Sequence, residues 1–499
     1  MKDLTIYWFR NDLRIQDNAA LSFASQHDNS IAIYIYDTEI ISKEDFSQLH
    51  LDFINDSLLE LKHYFNSKGS SLNIFYGNAL NILMKLNNEH NVRNLITHHE
   101  TGNWAIRERD EIILRYCNEN GINWKKFQSN GVVIGLVQRD GWYKKWMNEM
   151  NRDVIKTPNV SEFLKLKDNF GILNYKKLNI REVTYDKLYC GGERKAKATL
   201  NSFLESRGQL YSKEMSSPLS AFSSCSRLSS YITYGNISIR QVFQAVLNRQ
   251  KSLRENRIRS GWLKSLSSFS SRLKWHCHFV QKLEMQPNLE FTNMVRSFDG
   301  IRDETDQDRF IRWSNGTTGI PMIDACMRSL KVNGWINFRM RAMLVSFASY
   351  NLWLDWRKTS KFLSKYFIDY EPGIHYNQFQ MQSGVTGINA IRVYNPLKQQ
   401  IDQDPNSIFV KKWVPELKNI PSDYIQSPHL LSENMQKKLD CVIGKTYPNP
   451  VVDVRISAMR AKKRIFEVKK TKEAKLQSKE AYLMHGSRRK NRTMTINIF

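Results

Sequence analysis

The sequence lacks any apolar run long enough to cross a membrane. Its longest clearly apolar run covers residues 342–354, which is 13 of the 499 residues, whereas a membrane-spanning helix needs about 18 or more. The N-terminus also lacks the long apolar region of a signal peptide. We therefore expect a soluble, cytoplasmic protein that has no membrane partner.

Cysteine is scarce and scattered. The six cysteines form no C-x-x-C pair, so a disulfide framework or a thiolate metal site is disfavoured. The segment His276-Cys277-His278 superficially looks like a set of metal ligands. Residues two apart on a helix point to different faces, however, whereas metal-binding pairs are usually three or four apart. We expect no metal site.

Several catalytic signatures are absent. The sequence contains no G-x-x-x-x-G-K-[ST], no H-E-x-x-H and no G-x-S-x-G. These absences argue against a P-loop NTPase, a zinc protease and an α/β-hydrolase.

Acidic residues are few compared with basic ones. Lys and Arg number 74 against 49 Asp and Glu, which gives a formal net charge of +25. An excess of this size favours polyanionic partners such as nucleic acid. The excess is strongest near the C-terminus, where residues 455–492 hold 14 Lys and Arg against three Glu. This segment either contacts phosphates or is a solvated helix followed by a disordered end.

Short apolar runs alternate with helical patterns in residues 1–150. Strands separated by helices are typical of βαβ units in a parallel sheet whose two faces are covered. The sequence therefore predicts an N-terminal α/β domain. The predicted strands are Leu4–Phe9, Ile31–Tyr36, Leu72–Tyr76 and Asn94–Thr97, and a helix is predicted over Phe46–Phe65.

Beyond residue 150 the sequence changes character three times. Residues 151–210 are polar and lysine-rich with weak periodicity, which predicts an extended connector. Residues 211–455 are dominated by segments of period 3.6, such as Arg339–Trp356, and predict an all-α domain. Residues 456–499 are predicted to form a basic amphipathic helix and a basic tail.

A serine-rich segment around Ser226, Arg227, Leu228 and Ser229 precedes an apolar helical stretch, with a second helix start at Ser238. Hydroxyls and backbone N–H groups at a helix start, beside an arginine, suit a phosphate. The alternative is that these serines only cap two helices.

A second unusual segment runs from Trp335 to Arg341 and is followed by Asp369 and Glu371. Two arginines, at positions 339 and 341, followed by a clustered acid pair indicate a buried charged network. A surface ion-pair array between two helices is the alternative.

The sequence also carries a set of motifs in a characteristic order. It opens with Ile6 to Asn18 (IYWFRNDLRIQDN) and continues with the Ser226–Ser229 block and with Gly316 to Arg328. Asn333-Gly334-Trp335, Arg392 to Pro396 and Trp413 to Leu417 follow. Together these blocks resemble the photolyase/cryptochrome flavoproteins over residues 4–455, in a divergent bacterial branch. The resemblance implies a Rossmann-like antenna domain and an all-α domain that binds FAD. It also implies a possible second antenna chromophore of folate or deazaflavin type.

The resemblance assigns roles to individual residues. Trp275 matches the tryptophan that stacks on a flipped-out lesion, Trp356 matches one electron-relay tryptophan, and His375 stands opposite the flavin N5, so these three are the predicted catalytic residues. The predicted FAD-binding residues are Tyr211, Ser226, Arg227, Leu228, Ser229, His276, Phe338, Arg341, Asp369, Glu371 and His375. The predicted DNA-binding residues are Trp275, Arg272, Arg339, Met381 and Arg392.

Several positions depart from the usual family pattern. His375 stands where repair enzymes carry asparagine, and Arg272 stands where a glutamate touches the lesion. Phe379 replaces the relay tryptophan nearest the flavin, and Met381 replaces a second lesion-facing tryptophan. We therefore expect flavin photoreduction to be slow, or to use a different route through Trp356, Trp353 or Tyr376.

Two functions follow from these residues. The first is a blue-light-driven DNA photolyase, an FAD-dependent carbon–carbon lyase that repairs pyrimidine dimers in UV-damaged DNA by electron transfer from excited reduced flavin. The second is a cryptochrome-type light sensor without repair activity. The charge, Trp275 and the two arginines Arg339 and Arg392 favour the first, whereas His375 favours the second.

A third possibility, a basic nucleic-acid-binding protein with a degenerate cofactor site, is disfavoured by the intact Arg341, Asp369 and Ser226–Ser229 positions. We expect a monomer.

Overall fold

The computed structural model describes residues 3–167, 169–180, 182–258, 260–302 and 306–486. A five-stranded, fully parallel sheet has the strand order β3-β2-β1-β4-β5. This is the doubly wound order in which the chain reverses direction next to β1. The strands are β1 (Leu4–Phe9), β2 (Ser30–Asp37), β3 (Leu72–Gly77), β4 (Val92–His98) and β5 (Asn123–Phe127).

Helices cover both faces of the sheet and build the rest of the molecule. Up to residue 214 they are α1 (Ala19–Ala24), α2 (Thr38–Ile41), α3 (Gln48–Ser67), α4 (Ala79–His90), α5 (Trp104–Glu119), α6 (Trp142–Met150), α7 (Glu193–Glu205) and α8 (Tyr211–Glu214). They continue as α9 (Ala221–Ser224), α10 (Ser229–Thr233), α11 (Ile239–Glu255), α12 (Trp262–Met285), α13 (Gln307–Asn315), α14 (Pro321–Asn333) and α15 (Phe338–Ser346). The last are α16 (Trp356–Ser364), α17 (Pro372–Ser383), α18 (Pro396–Gln403), α19 (Ile408–Trp413), α20 (Glu433–Lys438), α21 (Val454–Lys470) and α22 (Lys472–His485). Short 3₁₀ turns lie at Arg207–Leu210, Pro287–Glu290, Arg296–Phe298, Pro415–Leu417 and Pro428–Leu430, and a π-helical turn lies at Phe347–Asn351.

The sheet confirms the strands predicted from the sequence and adds one. β1 and β2 are buried along their whole length, as expected for strands with both faces covered. β5 has the sequence NWKKF, in which two lysines interrupt the apolar pattern, and its residues are only partly buried. β5 was not predicted from the sequence, because an edge strand with charged residues lacks a hydrophobic run.

The prediction of one continuous helix over Arg339–Trp356 is wrong. α15 ends at Ser346, a π-helical turn follows, and Trp353 has a positive φ of 56°. A new helix begins at Trp356 because the side chain of Asp355 accepts a hydrogen bond from the backbone N–H of Arg357 at 2.6 Å. An N-capping aspartate inside an otherwise apolar pattern is the signal for this break.

The predicted connector and C-terminal region are more ordered than expected. Residues 151–192 contain no helix or strand within their described part, but residues 193–205 form α7. The basic C-terminal segment forms two helices, α21 and α22, whose Ile465 and Ala474 are fully buried. The predicted basic tail, Arg488 to Arg492, lies outside the described residues.

The hydrophobic core runs continuously from the sheet domain into the helical domain. The ring of Phe53 on α3 lies 5.4 Å from that of Tyr231 and 5.0 Å from that of Tyr234. Gly235 has a φ of +67°, and a Cβ there would lie 2.3 Å from the carbonyl oxygen of Asn11. The close approach of the two domains therefore requires glycine at this position.

No helix in the described part of the chain is both long and apolar enough to traverse a lipid bilayer.

Candidate functional site

The predicted charged network centres on a buried ion pair. The guanidinium of Arg341 on α15 donates two parallel hydrogen bonds to Asp369, at 2.9 and 3.0 Å. Its Nε donates to the carbonyl oxygen of Ile336 at 2.7 Å, which fixes the plane of the group. Burial alone would raise the pKa of Asp369, but the Arg341 charge and its hydrogen bonds lower that pKa below its ordinary value. The alternative of a surface ion-pair array is therefore excluded for this pair.

Two more predicted residues lie beside this ion pair. The Ser229 hydroxyl hydrogen-bonds the Asp369 carboxylate, and Asp369 also influences His276 electrostatically. Both ring nitrogens of His276 are buried and have no hydrogen-bond partner. Burial lowers the pKa of His276 to about 4, so its imidazole is neutral near pH 7. The structure thus brings a neutral imidazole with two unsatisfied nitrogens next to an ionised carboxylate.

Glu371 is the second acid of the site, and it is neutral near pH 7. Burial raises its pKa to about 8, against a small opposing effect of the hydrogen bond from the backbone N–H of Gly373 at 3.4 Å. Glu371 and His276 line one wall of a cleft that reaches the carboxyl ends of β1 and β4. A protonated carboxyl can donate as well as accept a hydrogen bond.

The serine-rich segment is a loop followed by a short helix. α10 has only five residues, and its cap residue Leu228 makes no side-chain cap hydrogen bond. The second predicted helix start is confirmed, because Ser238 and Gln241 form a capping box at the start of α11. The interpretation of two capped helices therefore holds at Ser238 but not at the Ser226 block.

Arg207 holds this loop in place. It donates hydrogen bonds to the carbonyl oxygens of Ser223, Cys225 and Ser226. Arg227, a predicted FAD ligand, has a φ of +62°. Its guanidinium lies over the rings of Trp335 and Tyr189, at 4.3 and 4.4 Å, and donates to the Phe222 carbonyl. The role of Arg207 could not be predicted from the sequence, because a single arginine in a polar stretch belongs to no motif.

Trp275 lies on the outer face of α12, next to the buried His276. Its side chain is 45% exposed, and the guanidinium of Arg272 lies 4.7 Å from its ring centre. Arg272 also hydrogen-bonds the hydroxyl of Tyr211, and Tyr211 is buried. One helix therefore carries an exposed aromatic ring and an imidazole with buried ring nitrogens on consecutive residues.

The other predicted rim residues differ in exposure. Phe338, predicted to bind cofactor, is 47% exposed at the start of α15. Arg339 is half-buried; its Nη1 lies 3.5 Å from the Gln399 side chain and its Nε is buried without a partner. Arg392 is exposed and Met381 on α17 is half-buried. These positions supply aromatic, basic and adaptable groups, as expected for a DNA-facing rim.

His375 lies among aromatic rings deep in α17. Its Nε2 lies 3.0 Å from the carbonyl oxygen of Ser360, and the ring of Phe379 lies 4.5 Å away. Because the carbonyl only accepts, Nε2 carries the proton and Nδ1 is an acceptor. Burial lowers the pKa of His375 to about 3, although the Ser360 contact opposes this. His375 is therefore a neutral imidazole throughout the physiological range.

Trp356 is fully buried and tightly held. Its Nε1 donates to Asn293 Oδ1 at 2.7 Å, and its ring lies edge-on to that of Tyr376, with centres 6.5 Å apart. The ring of Tyr376 in turn lies 5.6 Å from that of His375. The aromatic contacts therefore run from Phe379 through His375 and Tyr376 to Trp356.

A hydrogen-bonded group beside this aromatic series has no counterpart in the sequence prediction. The hydroxyl of Tyr370 donates to Asp45 at 2.9 Å and lies 3.2 Å from the Tyr376 hydroxyl. Glu290 accepts from the backbone N–H of Trp104 at 2.7 Å. The hydrogen-bonded residues come from segments that are far apart in the sequence, so no local motif predicts that they meet.

A second cleft opens at the carboxyl edge of the sheet. Trp8, Asp37 and Arg109 line it, and the Arg109 guanidinium lies 5.0 Å from the Trp8 ring centre. The Oδ2 atom of Asp37 is buried without a hydrogen-bond partner. Ligands of doubly wound sheets bind at this edge, outside the carboxyl ends of the strands.

Comparison with known proteins identifies the architecture. Residues 5–139 match the family model described as DNA photolyase, and residues 269–467 match the model described as FAD binding domain of DNA photolyase. The chain belongs to the photolyase/cryptochrome family. This confirms the family resemblance, the α/β sheet domain and the all-α FAD-binding domain predicted from the sequence.

Similar proteins carry both family names. A deoxyribodipyrimidine photo-lyase of Alkalihalophilus pseudofirmus is 26% identical over 90% of this chain and 95% of that protein. A cryptochrome DASH of Gloeobacter violaceus is 26% identical over 91% and 94%. At this level of identity, photolyases and cryptochromes resemble the chain equally.

Solved structures agree with the fold. A class III photolyase from Agrobacterium tumefaciens superimposes with a TM-score of 0.81 at 25% identity, over 94% of this chain and 99% of that one. An archaeal photolyase from Sulfolobus tokodaii, described with two FAD molecules, superimposes with a TM-score of 0.76 at 26% identity, over 93% and 100%.

The residues present fit a flavin dinucleotide. The unsatisfied nitrogens of His276 and the neutral carboxyl of Glu371 offer hydrogen bonds to an uncharged polar ligand. The Arg341–Asp369 pair provides a fixed dipole beside them. Buried polar atoms without partners are rare in native proteins, so they indicate a bound group.

Proposed function

We propose that the protein is a DNA photolyase that uses FAD and blue light to split pyrimidine dimers. The observation that carries this proposal is the placement of Trp275 and His276 on consecutive residues of α12. An exposed ring can stack on an extruded base, while the next residue borders the cofactor site. Base–aromatic stacking contributes about 1–3 kcal/mol per base.

Four residues would hold the cofactor. Asp369 and Arg341 orient hydrogen-bonding groups at the flavin, His276 offers both ring nitrogens, and Ser229 contributes its hydroxyl. FAD, when bound, supplies the light-driven electron donation. The chain itself excludes water from these groups and keeps His276 and Glu371 uncharged.

The rim supplies the DNA contacts. Arg339 and Arg392 would contact phosphates on either side of the extruded base, and Arg272 would hold the plane of Trp275 through its cation–π contact. The formal charge of +25 supports binding to a polyanion.

The test is light-dependent repair. An oligonucleotide with a single thymine dimer is mixed with reduced protein, and intact thymine pairs are counted after illumination and in the dark. Light-dependent loss of the dimer is expected for the wild type. Trp275→Ala should bind damaged DNA about 5–100-fold more weakly while binding undamaged DNA equally well. Trp104→Ala, at an equally exposed tryptophan on α5, is the matched control.

A cryptochrome function is the alternative, and His375 and Phe379 favour it. A histidine replaces the usual asparagine, and phenylalanine interrupts the usual relay, so the cofactor environment differs from that of typical repair enzymes. Light-driven flavin absorption changes without any dimer loss would assign the protein to this class.

We also infer that the cleft lined by Trp8, Asp37 and Arg109 holds a second, light-harvesting chromophore. The archaeal relative is described with two FAD molecules, and folate- or deazaflavin-type groups are further candidates. Asp37 Oδ2, which lies 3.8 Å from Arg109 Nη1 and has no hydrogen-bond partner, would accept a hydrogen bond from the chromophore. Chromatography of the released pigments identifies it, and Asp37→Ala should reduce its occupancy without changing that of FAD at the Arg341–Asp369 site.

A further inference from the structure

Four basic side chains meet in a buried cluster away from the proposed FAD and antenna sites. Arg139 precedes α6, His278 and Lys282 lie one turn apart on α12, and His485 ends α22. Arg139, Lys282 and His485 are 7%, 5% and 1% exposed. The cluster therefore joins the sheet domain, the central helix and the C-terminal helix.

The hydrogen bonds inside the cluster are few. Arg139 donates to the carbonyl oxygen and to the Nδ1 atom of His278. His485 Nε2 contacts Gln286 Oε1 at 2.7 Å, whereas its Nδ1 is buried without a partner. The ammonium group of Lys282 lies 5.4 Å from the ring centre of Phe279.

The pKa values of all four basic groups are lowered. Burial, followed by the Arg139 charge, lowers the pKa of Lys282 to about 8, and burial lowers the pKa of Arg139 to about 10. Burial and the neighbouring cations, including Lys274, lower the pKa of His278 to about 2. Burial and the charges of Lys282 and Arg139 lower the pKa of His485 to about 3.

Among the described residues, no carboxylate raises the pKa of Arg139 or of Lys282 against these effects. The nearest acid on α12, Glu284, pairs instead with Arg107 at 2.6 Å. Buried charges in native proteins are normally paired, since an unpaired one loses its hydration without compensation. The cluster therefore lacks a negative charge that would balance its basic groups.

We propose that Arg139, Lys282 and His485 form a binding site for a phosphate-class oxyanion. Nη1 and Nη2 of Arg139 each keep one N–H beyond the one directed at His278. These two N–H groups can donate to the anion, and Lys282 and His485 can each donate one more hydrogen bond. A tetrahedral dianion accepts bonds from several directions, which suits donors on three separate elements better than a planar carboxylate.

Protonation accompanies binding. His485 Nδ1 becomes a donor only when the imidazole is cationic. An anion nearby favours that form, so binding takes up a proton at His485. On binding, the neutral His485 imidazole, whose Nδ1 has no partner, becomes a cation that donates a charge-assisted hydrogen bond to the anion.

The phosphate has two possible sources, the solution or the DNA backbone. Lys282 follows Trp275 by seven residues on α12, which is about 10 Å along the helix axis. A phosphate of bound DNA is therefore within reach of the same helix. The proposed site does not depend on repair activity, and it is tested without substrate or light.

The test measures thermal unfolding at constant ionic strength while phosphate replaces chloride. The full-length holoprotein is used with inorganic phosphate as the probe. A rise in Tm of about 2–3 °C is expected at phosphate concentrations far above Kd. Lys282→Gln should abolish this rise, whatever its own Tm. Lys264→Gln, at an exposed lysine on the same helix, should keep it.

Equal phosphate responses in the wild type, Lys282→Gln and Lys264→Gln would overturn the proposal. Calorimetry in two buffers of different ionisation enthalpy should detect proton uptake, and His485→Gln should remove it. Proton uptake that survives in His485→Gln would contradict the assigned geometry.

Binding to undamaged DNA identifies the source. If the backbone supplies the phosphate, Lys282→Gln should lower the slope of log K against log salt by about 0.9, and inorganic phosphate should compete with DNA. If the anion comes from solution, the slope should equal that of the wild type while the Tm response is lost. Both results support the site, whereas a normal slope together with a normal Tm response excludes it.

Discussion

The phenol oxygen of Tyr376 lies 3.5 Å from a carboxyl oxygen of Glu290. Burial raises the pKa of Glu290 to about 7, so this acid changes charge near neutrality. A tyrosine that gives up an electron becomes strongly acidic and must lose its phenolic proton. Ionised Glu290 is placed to accept it.

The first prediction concerns the electron supply to light-excited flavin. Tyr376→Phe should slow flavin photoreduction at least tenfold, because the electron then comes from Trp356 without a proton acceptor nearby. In the wild type the yield should rise as the pH passes from 6 to 8 and Glu290 ionises. Transient absorption measures both effects.

Two variants test this assignment. Glu290→Gln should flatten the pH profile while keeping the hydrogen bond from the Trp104 backbone. Tyr424→Phe, at an exposed tyrosine, should change nothing. Photoreduction that is equally fast and equally pH-dependent in Tyr376→Phe would rule out this route.

The second prediction concerns the ion pair at the cofactor site. Asp369→Asn leaves Arg341 with a neutral partner in a poorly solvated position. The expected loss is about 3 kcal/mol in the free energy of unfolding, at the low end for a broken buried pair because Arg341 is 22% exposed. Urea unfolding gives this value, and the absorbance ratio at 450 and 280 nm gives the loss of flavin. Full flavin occupancy in the variant would count against the site.

The third prediction concerns pH. The folded protein holds a proton on Glu371 up to about pH 8, whereas a glutamate in the unfolded chain loses it near 4.5. Between these values the folded state binds more protons than the unfolded state, so stability falls as the pH rises. The slope reaches about 1.4 kcal/mol per pH unit. Urea titrations of flavin-free protein should show this decline, and Glu371→Gln should flatten it. The exposed control Glu108→Gln should leave the decline intact.

The fourth prediction concerns the C-terminal helices. Ile465 on α21 is fully buried and lies near Gly384 in the helical core. Ile465→Ala should therefore cost about 2–5 kcal/mol. Its neighbour Phe466 is 46% exposed, and Phe466→Ala should cost about 0.5 kcal/mol or less. Similar losses in the two variants would mean that α21 does not pack as described.

The sequence was sufficient to predict features that depend on local patterns. β1 to β4 are rich in apolar residues, and the Arg341–Asp369 pair was marked by clustered charges and by the family motifs. β5 was missed because its two lysines conceal the apolar pattern. The break before Trp356 was missed because the capping Asp355 sits within an apolar helical pattern.

Other parts of the site depend on contacts between distant segments. Glu290 meets Tyr376 across 86 residues, and Arg139 meets His278 across 139. The exposure of Trp275 and the burial of His276 likewise depend on which elements cover α12. Contacts between distant residues, and the burial that they cause, leave no local sequence pattern, so they could not be predicted from the sequence.

The continuous core between α3 and α10 has a consequence for the history of the chain. Phe53 packs on Tyr231 and Tyr234, and the Leu13 backbone N–H donates to the Tyr234 carbonyl. The topology defines a sheet domain and a helical domain, but one hydrophobic core contains residues of both. Recombination between relatives at the end of the sheet domain would place mismatched side chains on both sides of this interior. A chimera that joins the sheet domain of one relative to the helical domain of another is therefore expected to be less stable than either parent.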